Sequence, residues 1–206
     1  MLDKLEAELK IRGFSPKTVE SYLLHNKQFL TFINKEPEKI DEFDVKKYLA
    51  YLITEKQYKP RSVSLALSSL KFFYNNILNK NITDKIKTPK LDKKIPTVLT
   101  NDEVRSLLGS IDNEKHKILI SLMLSSGLRV SEAVSIKLSD INFDEKTLLV
   151  RSGKGRKDRI TIISSKLLDD IKDYTKDKKE NPNPYLFSVR DTHVTIKLAQ
   201  KIIKQA

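Results

Sequence analysis

The sequence predicts two domains: an N-terminal all-α domain of four helices, and a C-terminal mixed α+β domain, mainly helical, with a small β-hairpin or sheet. Three features predict this. Over residues 1–80 the apolar side chains recur at helical spacing, with no strand pattern. Residues 81–97 form a lysine-rich polar stretch interrupted by Pro89 and Pro96, and read as a linker. Over residues 98–206 helical stripes return, broken by two β-prone runs on either side of Gly153 and Gly155.

The four N-terminal helices are marked in turn. Leu2, Leu5 and Leu9 start a stripe that Gly13 breaks. Ser15 is placed to cap the next helix, and Pro16 follows at the first helical position, where a missing N–H costs nothing. Val19, Tyr22, Leu23, Phe29, Leu30 and Ile33 continue it, and Pro37 falls in the break. A third stripe runs Val45, Tyr48, Leu49, Leu52, Ile53. Pro60 opens a fourth, with Val63, Leu67, Leu70, Phe73, Tyr74, Ile77 and Leu78.

In the second domain Thr100 and Glu103 have the Thr-x-x-Glu spacing of a capping box. Ile118 to Leu124 is an apolar helical segment, with Gly127 suited to end it. Arg129 to Ile136 begins another helix. Thr147–Val150 and Arg159–Ile163 are rich in branched residues and read as the arms of a hairpin. Leu167 to Tyr174 is helical, Asn181–Pro184 a loop, Tyr185–Phe187 a short strand, and Val194 to Ile203 a last helix.

Composition narrows the chemistry. Of 206 residues, 39% are hydrophobic, enough for a packed core, and none is cysteine. That excludes disulfides, thiolate zinc sites and cysteine nucleophiles. No run approaches the roughly 18 apolar residues that cross a bilayer. The opening Met1-Leu-Asp-Lys-Leu-Glu6 mixes charges at once, unlike a signal peptide. The chain reads as soluble and cytoplasmic, without a membrane partner. Its net charge is +12, and the excess is evenly spread: residues 1–90 carry 17 basic and 11 acidic groups, residues 91–206 carry 22 and 16. Two lobes of +6 each fit two surfaces facing nucleic acid better than one basic tail does. Charge alone leaves a merely solvated lysine-rich surface equally open.

Two segments carry chemistry. In Ser126-Gly-Leu-Arg129-Val-Ser-Glu132-Ala, an arginine follows a helix-ending glycine at the start of the next helix. There a guanidinium can fork onto phosphate oxygens, and Glu132 is spaced to steady it. An ordinary i, i+3 surface pair has the same spacing. In Arg151-Ser-Gly-Lys154-Gly-Arg156-Lys157-Asp-Arg159, five of nine residues are basic. Two glycines allow a sharp turn that presents Lys154 at a hairpin tip, where an ammonium can meet a phosphate or protonate a developing alkoxide. A charged, solvated turn would look alike, and the phosphate-loop pattern ending in Gly-Lys-Ser/Thr is absent.

Taken together, Gly127-Leu-Arg-Val-Ser-Glu-Ala133, Leu138-Ser-Asp-Ile141 and Gly153-Lys-Gly-Arg-Lys-Asp-Arg159 resemble the catalytic-domain motifs of the tyrosine recombinases (phage integrases), most closely the Xer type. Ser15-Pro-Lys17-Thr18-Val-Glu-Ser-Tyr22 resembles the opening helix of that family's SAM-like core-binding domain. Arg61 to Leu78, with Lys71-Phe-Phe-Tyr74, resembles its last helix. The resemblance covers essentially the whole chain. It implies site-specific recombination of double-stranded DNA, with the duplex clamped between the domains and a tetramer of protomers on paired sites. A tyrosine attacks the scissile phosphate to give a 3′-phosphotyrosyl link, with no metal or other cofactor. It implies catalytic roles for Arg129, on the phosphate, and Lys154, protonating the 5′ oxygen, with Glu132 orienting Arg129. Lys17, Thr18, Tyr22, Arg61, Lys71, Arg151, Arg156, Lys157 and Arg159 are the candidate DNA contacts.

The family pattern also requires His-x-x-Arg, a further His or Trp, and the tyrosine. His25, His116 and His193 are not followed by arginine at that spacing, and no tyrosine lies beyond Tyr185. The chain is therefore expected to stop before the nucleophile and to bind DNA without cleaving it. An alternative is a non-cleaving accessory protein that occupies recombination sites.

Overall fold

A computed structural model describes residues 1–87, 90, 97–151, 158–176 and 183–205. The chain divides into two compact units, 1–95 and 96–206. Among the described residues no helix is long and apolar enough to cross a membrane.

The N-terminal unit is all helical: α1 (Leu2–Ile11), α2 (Pro16–Ile33), α3 (Glu42–Thr54) and α4 (Pro60–Asn76), with a short 3₁₀ turn at Pro37–Lys39. Local chemistry sets the starts. Ser15 Oγ accepts from Thr18 N at 3.2 Å. Asp41 and Asp44 cap each other's backbone at 2.9 and 3.3 Å, and Lys35 closes on both oxygens of the buried Asp44 at 2.7 and 2.8 Å. The core joins Leu5, Leu9, Phe29, Tyr48, Leu67, Leu70, Phe73 and Tyr74, all within 2% of complete burial. Asn26 on α2 crosses to α4, and its Nδ2 donates to Ser69 Oγ at 2.7 Å inside that core. Ile86, within the stretch read as a linker, is buried in the same core.

In the second unit α5 (Asn101–Gly109) opens on the Thr100/Glu103 capping box, with mutual contacts at 2.7 and 3.3 Å. It is followed by α6 (Glu114–Ser126), α7 (Val130–Val134), a 3₁₀ turn at Leu138–Asp140, β1 (Ile141–Asn142), β2 (Thr147–Val150) and β3 (Arg159–Ile162). Then come α8 (Ser165–Thr175), β4 (Ser188–Val189), β5 (Thr192–His193) and α9 (Ile196–Gln205). β1, β2 and β3 form an antiparallel sheet in that order, and β4 pairs with β5. The β2–β3 register runs from Thr147 opposite Ile162 to Val150 opposite Arg159. Leu148 and Val150 enter the core with Ile118, Leu119, Leu122 and Leu168, while Ile160 and Ile162 stay exposed on the other face.

Three expected elements differ. Tyr185–Phe187 is not a strand: Tyr185 makes a single bridge to Lys137, and the strand pair follows at Ser188 and Thr192. Leu186 N donates to Ile136 O and Leu138 N to Pro184 O, the two bonds of that single bridge, and the pairing goes no further while Leu186 and Phe187 turn into the core. The helix expected from Arg129 begins at Val130, because Arg129 is its extended cap. The helix expected from Val194 begins at Ile196: Val194 is buried, and Thr195 Oγ1 accepts from Leu198 N at 3.2 Å as the cap.

Candidate active site

α6 ends because Gly127 adopts φ +60°, the left-handed region, and its N–H bonds to Met123 O. The chain reverses there, Leu128 is buried, and Arg129 emerges at the start of α7. Glu132, three residues on, turns back. Its carboxylate accepts from Arg129 N at 2.9 Å and from Arg129 Nη1 at 2.8 Å. A second arginine arrives from the hairpin: Arg159, first residue of β3, donates to Oε1 and Oε2 at 3.0 and 2.7 Å. The acid's side chain is only 5% exposed, against 55% for Arg129. Bonding to Arg159, with smaller contributions from the Arg129 contacts, outweighs burial and holds the Glu132 carboxyl at a pKa of about 2. The carboxylate in turn raises the pKa of Arg159.

A second buried acid lies eight residues further along the same run. Asp140 closes the 3₁₀ turn, accepting from Lys137 N at 3.1 Å and from Arg151 Nε at 2.7 Å. Arg151, just past the end of β2, has its pKa raised by that bond.

The structure thus brings Arg129, Glu132 and Arg159 into one cluster and sets Arg151 on a neighbouring carboxylate. Lys154, Arg156 and Lys157 lie outside the described residues. In the N-terminal unit Lys17 is exposed, and the Thr18 hydroxyl shares a hydrogen bond with Ser15 Oγ at 2.8 Å. Tyr22 is half-buried in a ring cluster with Phe14 and Phe72, at 6.0 and 5.9 Å between centroids, and burial raises its pKa. Lys71 is half-buried on α4, one residue before Phe72. Arg61 is exposed in the first turn of α4, about 15 Å further along the helix axis. Tyr185 packs edge-on against His193 at 4.9 Å, with Lys137 Nζ 5.8 Å from its ring centre. Among the described residues no cluster of three or more His, Asp or Glu side chains is placed to hold a metal ion.

Reading the sequence alone missed Asp140 as a buried anchor and Arg159 as the partner of Glu132. The signal for the first was present: Lys137-Leu-Ser-Asp140 repeats the spacing of Thr100-Asn-Asp-Glu103, with an acid three residues after the cap. No local signal joins Arg159 to Glu132, which are 27 residues apart.

Residues 97–206 match the phage integrase family model, and residues 1–84 match the phage integrase N-terminal SAM-like domain. The chain is 34% identical over 203 residues to the tyrosine recombinase XerA of Pyrococcus horikoshii, covering 98% of this chain and 69% of that protein. It is 33% identical to a putative integrase/recombinase, y4qK, of Sinorhizobium fredii, over 89% of this chain and 60% of that one. The chain therefore belongs to the phage integrase family, the tyrosine recombinases, and resembles the Xer type within it. It spans 60–69% of the length of these two relatives. Among solved structures, a lambda integrase dimer bound to a core site shares the fold at a TM-score of 0.76, with 19% identity, over 99% of this chain and 75% of that one. A lambda integrase tetramer bound to a Holliday junction does so at 0.78, with 20% identity, over 99% and 63%.

Proposed function

We propose that this chain is the DNA-holding and phosphate-binding part of a site-specific DNA recombinase, and that it binds duplex DNA through both units without cleaving it. One observation carries the reading: Arg129 is tied at one guanidinium nitrogen and at its backbone to a buried, ionised Glu132, while the rest of its side chain stays exposed. A guanidinium held this way is pre-oriented, so little freedom is lost when it forks onto a phosphate. It stands where positive charge offsets the negative charge that grows in phosphoryl transfer. Lys154 is assigned to protonating the departing 5′ oxygen, and Lys17, Thr18, Tyr22, Arg61, Lys71, Arg151, Arg156 and Lys157 to the duplex. The recombination itself, through a 3′-phosphotyrosyl link in an assembly of four protomers on paired sites, belongs to an enzyme that also supplies the nucleophile.

The test is a titration of labelled duplex at increasing salt. Each phosphate neutralised contributes a log–log slope of about −0.9. With charged surfaces on both units the slope is several times that value, and removing Arg129 makes it shallower. An affinity that does not change with salt overturns the reading.

A further inference from the structure

Two features of α3 answer each other. Its second residue, Phe43, is 71% exposed. Of the chain's eight phenylalanines and seven tyrosines it is the only one that is not buried or half-buried. It also lies in the most acidic nine-residue stretch of the sequence, residues 36–44, which holds five acids and one lysine. Glu38 and Asp41, just before the ring, are exposed.

Toward the other end of the same helix there is a slot between α2 and α3. Phe32 and Tyr51 stack at 4.4 Å between ring centres, and Tyr48 packs against both at 5.3 and 6.4 Å. Past α3 the chain doubles back: Gln57 takes φ +51°, Tyr58 N donates to Leu52 O at 2.9 Å, and the Tyr58 side chain lines the slot. The opening measures about 460 Å³ and is flanked by Lys27 and Lys56, the latter 5.6 Å from the Tyr51 ring centre. Among the described residues no acid lines it.

Rings at this spacing accept another ring edge-on or offset, and two lysines without an acid favour a ligand that carries negative charge beside its apolar anchor. Phe43 with its flanking acids has that composition. It cannot reach the slot of its own chain. Eight residues of helix separate it from Tyr51, about 12 Å along the axis, and a helical side chain leans toward the N-terminus, away from the slot.

We propose that the slot is a self-association site: Phe43 of one copy inserts between Phe32, Tyr51 and Tyr58 of a second copy, with Glu38 and Asp41 facing Lys27 and Lys56. The contact is head to tail, because knob and slot are different surfaces, and each pair formed leaves one knob and one slot free. It belongs to the protein alone and does not rest on the reading of Arg129 or on DNA. One ring in one slot is a small interface, of the weak and transient class.

The experiment is sedimentation velocity of this 206-residue chain without DNA, near physiological salt, over a concentration series reaching about 1 mM. The average mass of the parent rises with concentration. Phe43→Ser removes the knob, and the double variant Lys27→Glu, Lys56→Glu reverses the charge at the slot. All three positions are exposed, so both variants keep the thermal midpoint of the parent. Each variant alone associates at least about tenfold more weakly, as loss of a central anchor does. An equimolar mixture of the two variants regains association, since the slot of one and the knob of the other are intact, and it forms one-to-one pairs and nothing larger. A parent that stays monomeric throughout overturns the proposal and leaves the slot to a different acidic partner. Parent-like association of either variant alone overturns it too. So does a mixture that stays monomeric, which would mean that the two surfaces do not meet each other.

Discussion

Arg159 donates from both terminal guanidinium nitrogens to both carboxylate oxygens of Glu132, whereas Arg129 reaches the same acid with only one side-chain nitrogen. The two arginines divide the work. Arg159, the less exposed of the two at 37% against 55%, satisfies the buried charge and binds the sheet to α7. Arg129 is steadied by the same carboxylate but remains presented to solvent. Truncating them should separate stability from binding. Arg159→Ala is expected to lower folding stability by about 1–3 kcal/mol, the cost of leaving a buried charged acceptor short of its partner. Arg129→Ala is expected to cost less than 1 kcal/mol, as an exposed pair does, yet to weaken DNA binding more. Urea midpoints and duplex titrations on the same two variants check this.

Glu132 also gives the chain an acid-sensitive joint. Its pKa is held at about 2, below its ordinary value of 4.5. A group whose pKa is depressed on folding stabilises the fold fully above the unfolded value and loses that contribution as pH falls through the folded one. The window is therefore pH 4.5 down to about 2. Glu132→Gln should be less stable than the parent at pH 7, and the gap between their urea midpoints should narrow steadily below pH 4.5. A gap that stays constant down to pH 3 would show that the ionised form carries no special weight.

Gly127 separates the strain of its backbone from steric crowding. Its φ is +60°, and a Cβ built there meets nothing within 4 Å. Gly127→Ala should thus cost only the left-handed penalty, about 1–2 kcal/mol. Gly127→Asn should cost less, since asparagine tolerates that region. Thermal midpoints decide it. Equal losses in the two variants would mean that φ is not what sets the cost of replacing this glycine.

What the sequence revealed and what it hid follow from the range of the interactions. Helix starts are local, and so Ser15-Pro16, Pro60 and Thr100/Glu103 were readable from neighbouring residues. Gly127 was readable as a stop because few other residues adopt its φ. The Tyr185–Phe187 segment was misjudged because its apolar residues satisfy a core formed with Ile136 and Leu138, far away in sequence, and not a ladder of its own. β1 went unseen because two residues carry no periodicity. Arg159 looked like one more basic residue in a charged hairpin. Only the fold shows that it faces a buried acid, whereas Arg129 was identifiable because its partner lies three residues away.

We further propose that each unit holds DNA by itself but weakly, because linked modules gain effective concentration. The gain in avidity reaches roughly 10²–10⁴. Separate pieces ending and starting near residues 87 and 97 should each fold, keeping Ile86 in the first, and each should bind duplex far more weakly than the intact chain. Limited proteolysis checks the division: cuts should fall between the two pieces before they fall within α6 or α7. If either piece alone matches the affinity of the whole, the two-sided grip is wrong.

The last expectation is that this chain forms no covalent link with DNA. The groups of such a site act as a unit, so that removing the nucleophile eliminates nearly all of the catalysis the others support. Arg129 can hold and polarise a phosphate, yet attack requires a hydroxyl aligned with the leaving oxygen and compensation of the charge that builds up between them. Tyr185 is the last tyrosine in the sequence and the natural substitute to examine. Its surroundings argue against it. Its ring is half-buried and lies edge-on to His193, its backbone bridges Lys137, and its N–H is engaged by the Asn183 side chain at 3.0 Å. Freeing it for in-line attack would break those contacts and detach the adjoining Leu186 and Phe187 from the core, both of which are fully buried. A duplex nicked beside the cleavage position, so that a cut strand diffuses away and traps any intermediate, should therefore give no protein–DNA band on a denaturing gel. A band that appears with the parent chain and vanishes in Tyr185→Phe would overturn this expectation and would make Tyr185 a nucleophile.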